Sequence, residues 1–172
     1  MACVLYVKKY MKVMKMNLYN IINMDEKTAK KIIDWKYDDE YAEYNMDSYE
    51  ELKKRNASIL DPQKSSNFLC YYKAGELVGY TNTMKKANNE LFLGIGLAPE
   101  FCGKGLGKDI LLHTINIAKE KYPDLKIGLQ VRSWNKRAIK CYQNAGFRYI
   151  KTEIVKDRNQ IDTEFVFMEY ML

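Results

Sequence analysis

Metal-ligating side chains are scarce in this sequence of 172 residues. It contains one histidine and four cysteines, Cys3, Cys70, Cys102 and Cys141, which lie far apart and form no C-x-x-C pair. Since a zinc site needs clustered thiolates or imidazoles, we expect no metal. A domain of this length buries enough surface to fold without disulfides, so we expect free thiols and a cytoplasmic location.

Long apolar segments and linkers are also missing. The apolar stretch 2–7 is interrupted at once by two lysines, which makes it too short for a membrane span or a secretory signal. We therefore expect no membrane partner. No repeat or Pro/Gly/Ser linker divides the chain, which favours a single domain over residues 1–172. Because further methionines follow closely, residues 1–14 are either an extension of that domain or a start-site artefact.

The composition is that of a packed, basic protein. Hydrophobic residues make up 47% and aromatic residues 13% of the chain, which is too apolar for a disordered protein. The net charge of +6 suits an anionic partner such as a phosphorylated cofactor or a nucleic acid. The charges are scattered, however, and no motif that reads DNA or RNA accompanies them, so we expect no nucleic-acid partner.

Hydrophobic patterning predicts a mixed α+β order around one sheet. We expect strands at 15–22, 68–73, 77–84, 91–97, 125–131, 147–156 and 161–170. Helices are expected after Asp25 (through Ala29, Ile32, Ile33 and Lys36), at 48–58 up to Asp61-Pro62, after the glycine-rich segment 102–108 (with Leu106, Ile110, Leu111, Ile117 and Ala118 inward) and after Asn135. The apolar run 91–97 predicts a strand buried on both faces. Its glycines indicate that another group approaches the backbone closely.

The glycine-rich segment 102–108 combines a turn with the start of a helix. Backbone N–H groups and the positive end of the helix dipole converge at such a turn, and glycine lets a phosphate reach the backbone. Two nucleotide motifs fail here. A P-loop needs Ser or Thr where Asp109 stands, and the dinucleotide fingerprint needs glycine at Lys108. From these residues alone, a phosphate-binding turn and a purely structural turn both remain open.

Two blocks of sequence resemble the GNAT superfamily of N-acetyltransferases. Leu97-Ala98-Pro99 followed by Gly103-Lys104-Gly105-Leu106-Gly107 resembles the pyrophosphate-binding motif of that family. The block from Asn135 to Phe147 matches its pattern N-x-x-A-x-x-x-Y-x-x-x-G-F. The two blocks come in the family's order, separated by a predicted helix and strand.

The resemblance implies a GNAT-like three-layer fold of mixed α/β (α+β) class. Its central sheet would be mostly antiparallel and splayed into a V between the fourth and fifth strands, with helices on both faces. The cosubstrate would be acetyl-CoA, whose pantetheine arm would lie in the V with Gly94 and Gly96 leaving room for it. The coenzyme-binding residues implied are Ile95, Gly96, Leu97, Gly103, Lys104, Gly105, Leu106, Gly107, Lys108 and Asn135.

Tyr142 matches the general acid of the family. A phenol with a pKa near 10 can protonate a leaving thiolate that it reaches within about 3 Å. Without the flanking pattern, Tyr142 is better explained as a core tyrosine beside Ala138 and Ile139. Transfer would be direct, because no Ser-His or Cys-His pair is present and His113 lies in no motif. A backbone N–H near Leu97 is our hypothesis for stabilising the developing oxyanion.

The sequence departs from the family pattern at two positions. Cys102 stands where the phosphate motif has Arg or Gln, which predicts weaker affinity for the coenzyme; its thiol is either inert or, near a helix N-terminus, reactive. Gln130 replaces a glutamate that is the general base in some members. Glu90 is offset by one residue from an alternative base position at Leu91, and that offset turns it to the opposite face. The base is therefore unassigned: it is water-linked, comes from 38–43, or is absent.

The segment 35–51 lies where the family builds its acceptor pocket. Its acids and aromatics suit a cationic amine, although solvated acids and core aromatics explain it equally well. The sequence thus predicts an acetyl-CoA-dependent N-acetyltransferase that acts on a primary amine of a small molecule or peptide, with a homodimer left open. Two alternatives are a non-catalytic acyl-CoA-binding or sensing module, which Gln130 favours, and a basic nucleic-acid-binding domain, which only the net charge supports.

Overall fold

The computed structural model describes residues 18–171, and its central element is a seven-stranded sheet. The strands are β1 (Asn20–Asn23), β2 (Phe68–Lys73), β3 (Glu76–Lys85), β4 (Glu90–Leu97), β5 (Lys126–Arg132), β6 (Phe147–Lys156) and β7 (Asp162–Tyr170). The helices are α1 (Glu26–Ile33), α2 (Tyr49–Lys54), α3 (Leu106–Lys121) and α4 (Lys136–Ala145), with short 3-10 helices at Asp39–Tyr44, Ser58–Leu60, Pro62–Asn67 and Pro99–Phe101. The proposed extension 1–14 lies outside the described residues, as does the beginning of the first predicted strand.

The sheet is antiparallel except at one short parallel pair. Its order is β1-β2-β3-β4-β5-β7-β6, and β4 pairs with β5 only at 90–92, opposite 126–128. A parallel pair needs a crossover connection, and α3 provides it. Beyond Phe92 the two strands separate. The prediction of a mostly antiparallel sheet splayed between its fourth and fifth strands is therefore confirmed.

Helices cover both faces of this sheet. Cys70 on β2 packs against Ala29 and Ile32 of α1, whereas the next residue, Tyr71, hydrogen-bonds through its hydroxyl to Oγ1 of Thr114 on α3 at 2.8 Å. Because successive strand residues point to opposite faces, α1 and α3 lie on opposite sides of β2. The three-layer arrangement is confirmed.

Local signals place most element ends correctly. Asp25 caps α1 by accepting a hydrogen bond from the Thr28 amide at 2.7 Å, and Gly146 ends α4 at φ 104°. Lys36, which we expected to continue α1, lies beyond its end. The second helix is shorter than predicted: α2 ends at Lys54, and Asn56 adopts φ 52°. The Asp61-Pro62 pair opens a 3-10 helix rather than ending α2.

The buried face of α3 differs from the predicted stripe. The helix buries Thr114 and Ile115 completely, whereas Ile117 is only half-buried. The Thr114 hydroxyl is satisfied inside the protein by the Ile110 carbonyl at 2.9 Å and the Thr81 hydroxyl at 3.0 Å. A hydrophobicity pattern counts threonine as polar and therefore places it outside the core. A hydroxyl that is hydrogen-bonded within the protein can nevertheless be buried at little cost in free energy.

Strand β4 is buried on both faces only in part. Leu91 and Leu93 are buried, whereas Phe92 and residues 94–97 are half-buried. This second half of the strand runs beside the gap that β5 leaves, where no neighbouring strand covers it. The predicted double burial is therefore wrong at the end of the strand.

Candidate functional site

The gap between β4 and β5 opens into a cavity of about 610 Å³, hereafter the central cavity. Its wall combines the second half of β4, the glycine-rich segment 102–108, α4, the connection between α1 and α2, and the turn between β6 and β7. The volume lies in the range of small-molecule sites. Helices, strands and loops from distant parts of the chain thus converge on one pocket.

One edge of β4 faces the gap with backbone groups that β5 does not pair. The Ala98 amide bonds to the Val78 carbonyl at 3.1 Å, so the Leu97 carbonyl, on the other side of the same trans peptide, points away from β3. It accepts a hydrogen bond from the Tyr37 hydroxyl at 2.7 Å. By strand alternation, Ile95 also presents its N–H and C=O to the gap, whereas Gly96 faces β3. Such an edge can pair with an extended, amide-bearing ligand.

The glycines of β4 make room for side chains of the neighbouring strand. A Cβ at Gly96 would overlap the ring of Tyr80, and a Cβ at Gly94 would overlap the side-chain oxygen of Asn82. Both neighbours lie on β3. The prediction of a close approach to the backbone is correct, and the approaching groups are these two side chains. Both glycines also line the central cavity, so the expectation that they leave space for the pantetheine arm stays a prediction.

The glycine-rich segment folds as an exposed, strongly curved turn. Gly103 and Gly105 adopt φ values of 75° and 79°, and a Cβ on either would meet no atom within 4 Å. Gly105 precedes the first residue of α3 and offers no side-chain cap to its free amides. Gly107 has a different role, since its Cβ would lie 3.0 Å from Sγ of Cys141 on α4. The turn has the geometry of an anion site at a helix N-terminus.

A cation that we did not predict lies near this turn. The Arg137 guanidinium stacks on the Tyr41 ring, with 4.0 Å between its central carbon and the ring centroid. Its charge also acts on the Cys102 thiol, but burial dominates and raises the pKa of that thiol. A raised pKa keeps the thiol protonated, which favours the inert interpretation of Cys102. Arg137 brings positive charge close to the position where the family motif has its Arg or Gln. The basic residues at the start of the second motif were the only sequence signal for it.

Tyr142 lies in the wall of the central cavity and also packs on the main core cluster. Its ring meets Phe147 edge-on, with centroids 6.2 Å apart. Burial raises the pKa of the phenol above its usual value, and the neighbouring Tyr44 adds to the effect. The same burial would raise the pKa of a thiol in this cavity, because both groups pass from neutral to anionic. The core interpretation and the site interpretation of Tyr142 are thus compatible.

The Asn135 side chain forms two hydrogen bonds within the protein. It is buried, its Oδ1 accepts the Ala138 amide at 3.0 Å, and its Nδ2 donates to the Tyr44 hydroxyl at 2.9 Å. The first contact caps α4, and the second fixes a tyrosine of the cavity wall. This local role accounts for the asparagine at the start of the motif.

The described residues that line the central cavity include no Asp, Glu or His. Gln130 lines it, whereas Glu90 pairs with Lys126 at the closed end of the gap. His113 lies on α3 with its ring against Tyr71 and is not part of the wall. Among residues 18–171, no group of three His, Cys, Asp or Glu is placed to hold a metal ion.

The acids of the segment 38–43 do not line the cavity, whereas the aromatics around them do. Asp38, Asp39 and Glu40 are exposed, and Glu43 pairs with Arg132 at 3.0 Å. The lining aromatics of this part of the wall are Trp35, Tyr37, Tyr41, Tyr44 and Tyr80. Of the two explanations offered for the segment, solvated acids are correct, but its aromatics form a pocket wall as well as packing.

Arg132 and Arg158 line the part of the central cavity that is next to the segment 35–51. Arg132 is buried and bonds to Asp157 at 2.9 Å as well as to Glu43. Arg158, from the β6–β7 turn, donates to the carbonyls of Glu43 at 3.1 Å and Asn45 at 2.6 Å. The Ile161 amide and Arg132 hold the pKa of Asp157 below its usual value. No sequence motif marks these arginines, because more than 100 residues separate Arg158 from the carbonyls that it binds.

In the described part of the chain, no helix is long and apolar enough to cross a membrane.

A comparison with known protein families identifies one for this chain. The model of the acetyltransferase (GNAT) family matches residues 29–147, more than half of the chain. None of the curated proteins compared matches in sequence.

Several solved structures share the fold at low sequence identity. A spermidine N-acetyltransferase chimera from Vibrio cholerae and hSSAT is 18% identical, with a TM-score of 0.67 over 90% of this chain and 95% of that one. A ribosomal-protein-alanine N-acetyltransferase from Brucella melitensis is 17% identical, with a TM-score of 0.67 over 89% and 99%. An aminoglycoside acetyltransferase in complex with coenzyme A is 19% identical, with a TM-score of 0.69 over 89% and 94%. With the family model matched across both sequence blocks and the splayed sheet in place, this chain belongs to the GNAT family of acetyltransferases.

Proposed function

We propose that this protein is an acetyl-CoA-dependent N-acetyltransferase that passes the acetyl group directly to a primary amine. The observation that carries the proposal is the central cavity, which joins the glycine turn, the open edge of β4 and Tyr142. The names of the structural neighbours support transfer to an amine, since they act on spermidine, a ribosomal protein and aminoglycosides. One neighbour is bound to coenzyme A, which supports acetyl-CoA as the cosubstrate.

The residues around the cavity suit the parts of this cosubstrate. The amides from Gly103 to Lys108 would hold the pyrophosphate, with Lys104 and Lys108 adding charge. The pantetheine arm would pair with the edge of β4 at Ile95 and Leu97. The Leu97 carbonyl accepts the Tyr37 hydroxyl at 2.7 Å and the Cys102 thiol at 3.8 Å. A thiol is a weak donor, which a ligand amide would displace. Asn135 would reach the coenzyme through its second amide hydrogen.

The chemical step needs one proton transfer to sulfur. The amine nitrogen attacks the thioester carbonyl carbon, a C–N bond forms, and the C–S bond breaks with its electron pair going to sulfur. Tyr142 donates its phenolic proton to that sulfur. The proton that the nitrogen loses then returns to the phenolate, either directly or through water. The Leu97 N–H, which faces the gap by strand alternation, is placed to stabilise the developing oxyanion.

Replacing Arg137 by Met is expected to weaken coenzyme binding. A hydrogen bond to a charged group contributes about 1.5–3 kcal/mol, so the loss corresponds to roughly 10- to 100-fold in the dissociation constant. Titration calorimetry with coenzyme A measures it. Lys136→Met is the matched control, since its amine bonds to the Ser133 carbonyl and does not line the cavity. Equal affinities of both variants for coenzyme A would contradict a role for Arg137.

A turnover assay tests the proposed function. The protein is incubated with acetyl-CoA and each member of an amine panel, and release of free thiol is followed together with the mass of the acceptor. We expect acceptor-dependent thiol release with one acetyl group added to the amine. The alternative, an acyl-CoA-binding or sensing module, is favoured by Gln130 in the wall and by the lack of acids there. It predicts binding of the coenzyme without acetylation of any amine.

Two further properties belong to this proposal. We place the protein in the cytoplasm, where the thiols of Cys70, Cys102 and Cys141, which are free in the structure, would remain reduced. A homodimer, frequent in the family, stays a prediction that the molecular mass in solution would test.

A further inference from the structure

The charge of the cavity wall has one sign. Its charged lining residues are Lys108, Arg132, Arg137, Lys140 and Arg158, all of them basic. Residues 1–17 contain no Asp or Glu either. Lys108 and Arg137 belong to the coenzyme end proposed above, where phosphates would balance their charge. The cations left to act on an acceptor raise the free energy of a polycation beside them and lower that of an anion, unless acids balance them.

The carboxylates that form ion pairs with these cations balance only one of them. Glu100 does not line the cavity, but its charge acts on the lining residues Tyr37 and Cys102. Glu43 and Asp157 both bind Arg132, so their charge is already used by a guanidinium inside the protein. Arg158 bonds only to backbone carbonyls, and among residues 18–171 no carboxylate forms an ion pair with it. No carboxylate in the part of the chain that the structure describes therefore offsets the positive charge of Arg158 at the end of the cavity where the acceptor would enter.

Aromatic rings, together with Ile32 and Met46, form the remaining surface of this end. Trp35 and Tyr80 lie with ring centroids 6.0 Å apart, and Tyr41 and Tyr44 both pack on Trp134. Burial raises the pKa of Tyr80 to about 12, so its phenol stays neutral and cannot neutralise a cationic acceptor near pH 7. Such rings suit an apolar or planar body and also attract a cation through their faces, so the aromatic surface alone does not discriminate between acceptors.

The proton balance of the reaction points to the same class of acceptor. A neutral amine loses one proton while sulfur gains one, and Tyr142 can relay both. An ammonium group must first lose an extra proton, and the cavity wall offers no carboxylate or imidazole to take it. At pH 7 the neutral fraction of a peptide α-amine, with pKa of about 7.7–8.0, exceeds that of a lysine amine, with pKa of about 10.4, by several hundred-fold.

We propose, on the basis of the acetyl transfer argued above, that the acceptor is a weakly basic primary amine on an apolar or acidic carrier. The α-amino group of a peptide has this chemistry. Polyamines, aminoglycosides and lysine side chains carry strongly basic amines or several positive charges and do not fit the wall. The substrate class is thus set by the charge of Arg158 at the acceptor end and by the absence of an acid from the described lining.

Matched peptides test this assignment. The first is the amidated tetrapeptide Ala-Glu-Phe-Gly with a free α-amine, and the second is its N-acetylated form with lysine in place of glycine. A third peptide carries lysine in place of glutamate and keeps the free α-amine, and spermidine completes the set. The readout is kcat/KM at pH 7 from thiol release, with the acetylated atom located by mass spectrometry.

We expect the first peptide to exceed the lysine-only peptide and spermidine by roughly 100-fold or more, following the neutral fractions. Changing its glutamate to lysine should lower kcat/KM by about fivefold or more, through loss of attraction to Arg158. Arg158→Gln should remove that second preference, whereas Arg158→Lys should retain most of it. Faster acetylation of spermidine or lysine would overturn the inference and leave the transferase function standing. Acetylation of no amine, with acetyl-CoA bound, would overturn the transfer itself and the inference with it.

Discussion

Replacing Tyr142 by Phe is expected to lower kcat by roughly 10²- to 10⁴-fold, the usual contribution of a general acid. The ring would still pack against Phe147, and only the hydroxyl that protonates sulfur would be lost. Affinity for acetyl-CoA should therefore stay within about twofold of the original protein, because the loss is confined to the transition state. Steady-state kinetics and calorimetric titration measure the two effects separately.

The pH profile of the original protein supplies a second readout. The acid is active while protonated, and burial raises its pKa above the usual value for tyrosine. The loss of activity through its deprotonation is thereby moved above about pH 10, the unperturbed value. For the Tyr142→Phe substitution, Tyr149→Phe is the control, since the Tyr149 side chain is 58% exposed on β6. An unchanged kcat in Tyr142→Phe would remove Tyr142 as the acid.

Replacing Gly105 by Trp is expected to abolish coenzyme binding, with a loss of at least about 100-fold in affinity, as when several charge-assisted hydrogen bonds are lost together. The indole would occupy the open space in front of the free amides of α3. The backbone at φ 79° is also unfavourable for any side chain, which adds about 1–2 kcal/mol of destabilisation. Calorimetric titration with coenzyme A gives the affinity, and thermal unfolding gives the stability.

Gly75→Trp is a matched control for this change. Gly75 lies in the β2–β3 turn with φ 84°, and a Cβ there also meets nothing within 4 Å. Both substitutions therefore carry the same backbone strain, but only Gly105 lies in the wall of the central cavity. Normal coenzyme binding by Gly105→Trp would contradict the assignment of the turn as the phosphate site.

The parts of the fold that follow from local chemistry were predictable from the sequence. Asp25 and Ser48 cap helices through their own side chains. The β2–β3 turn uses Ala74 and Gly75 at positive φ, as a two-residue hairpin requires. The splay of the sheet came from the family resemblance and not from the pattern, because hydrophobicity does not report where two strands separate.

The acceptor end of the cavity was not predictable, because it is assembled from distant parts of the chain. Arg158 and Tyr80 reach it from two hairpins, and Arg137 reaches the glycine turn from α4. The acids at 38–40 suggested a cationic acceptor, but a sequence does not show that their side chains face the solvent. The sequence also did not show that Gly94 and Gly96 make room for side chains of β3, because that depends on which residues of the two strands are paired.

The thermal midpoint with and without acetyl-CoA tests the central claim, that the gap between β4 and β5 binds this cosubstrate. Ligand at one hundred times its dissociation constant stabilises a protein by about 2.7 kcal/mol, a shift of a few degrees at this size. We predict that shift with acetyl-CoA, and none with ATP or NAD at the same concentration. The absence of a shift at millimolar acetyl-CoA, or an equal shift with all three compounds, would contradict the account.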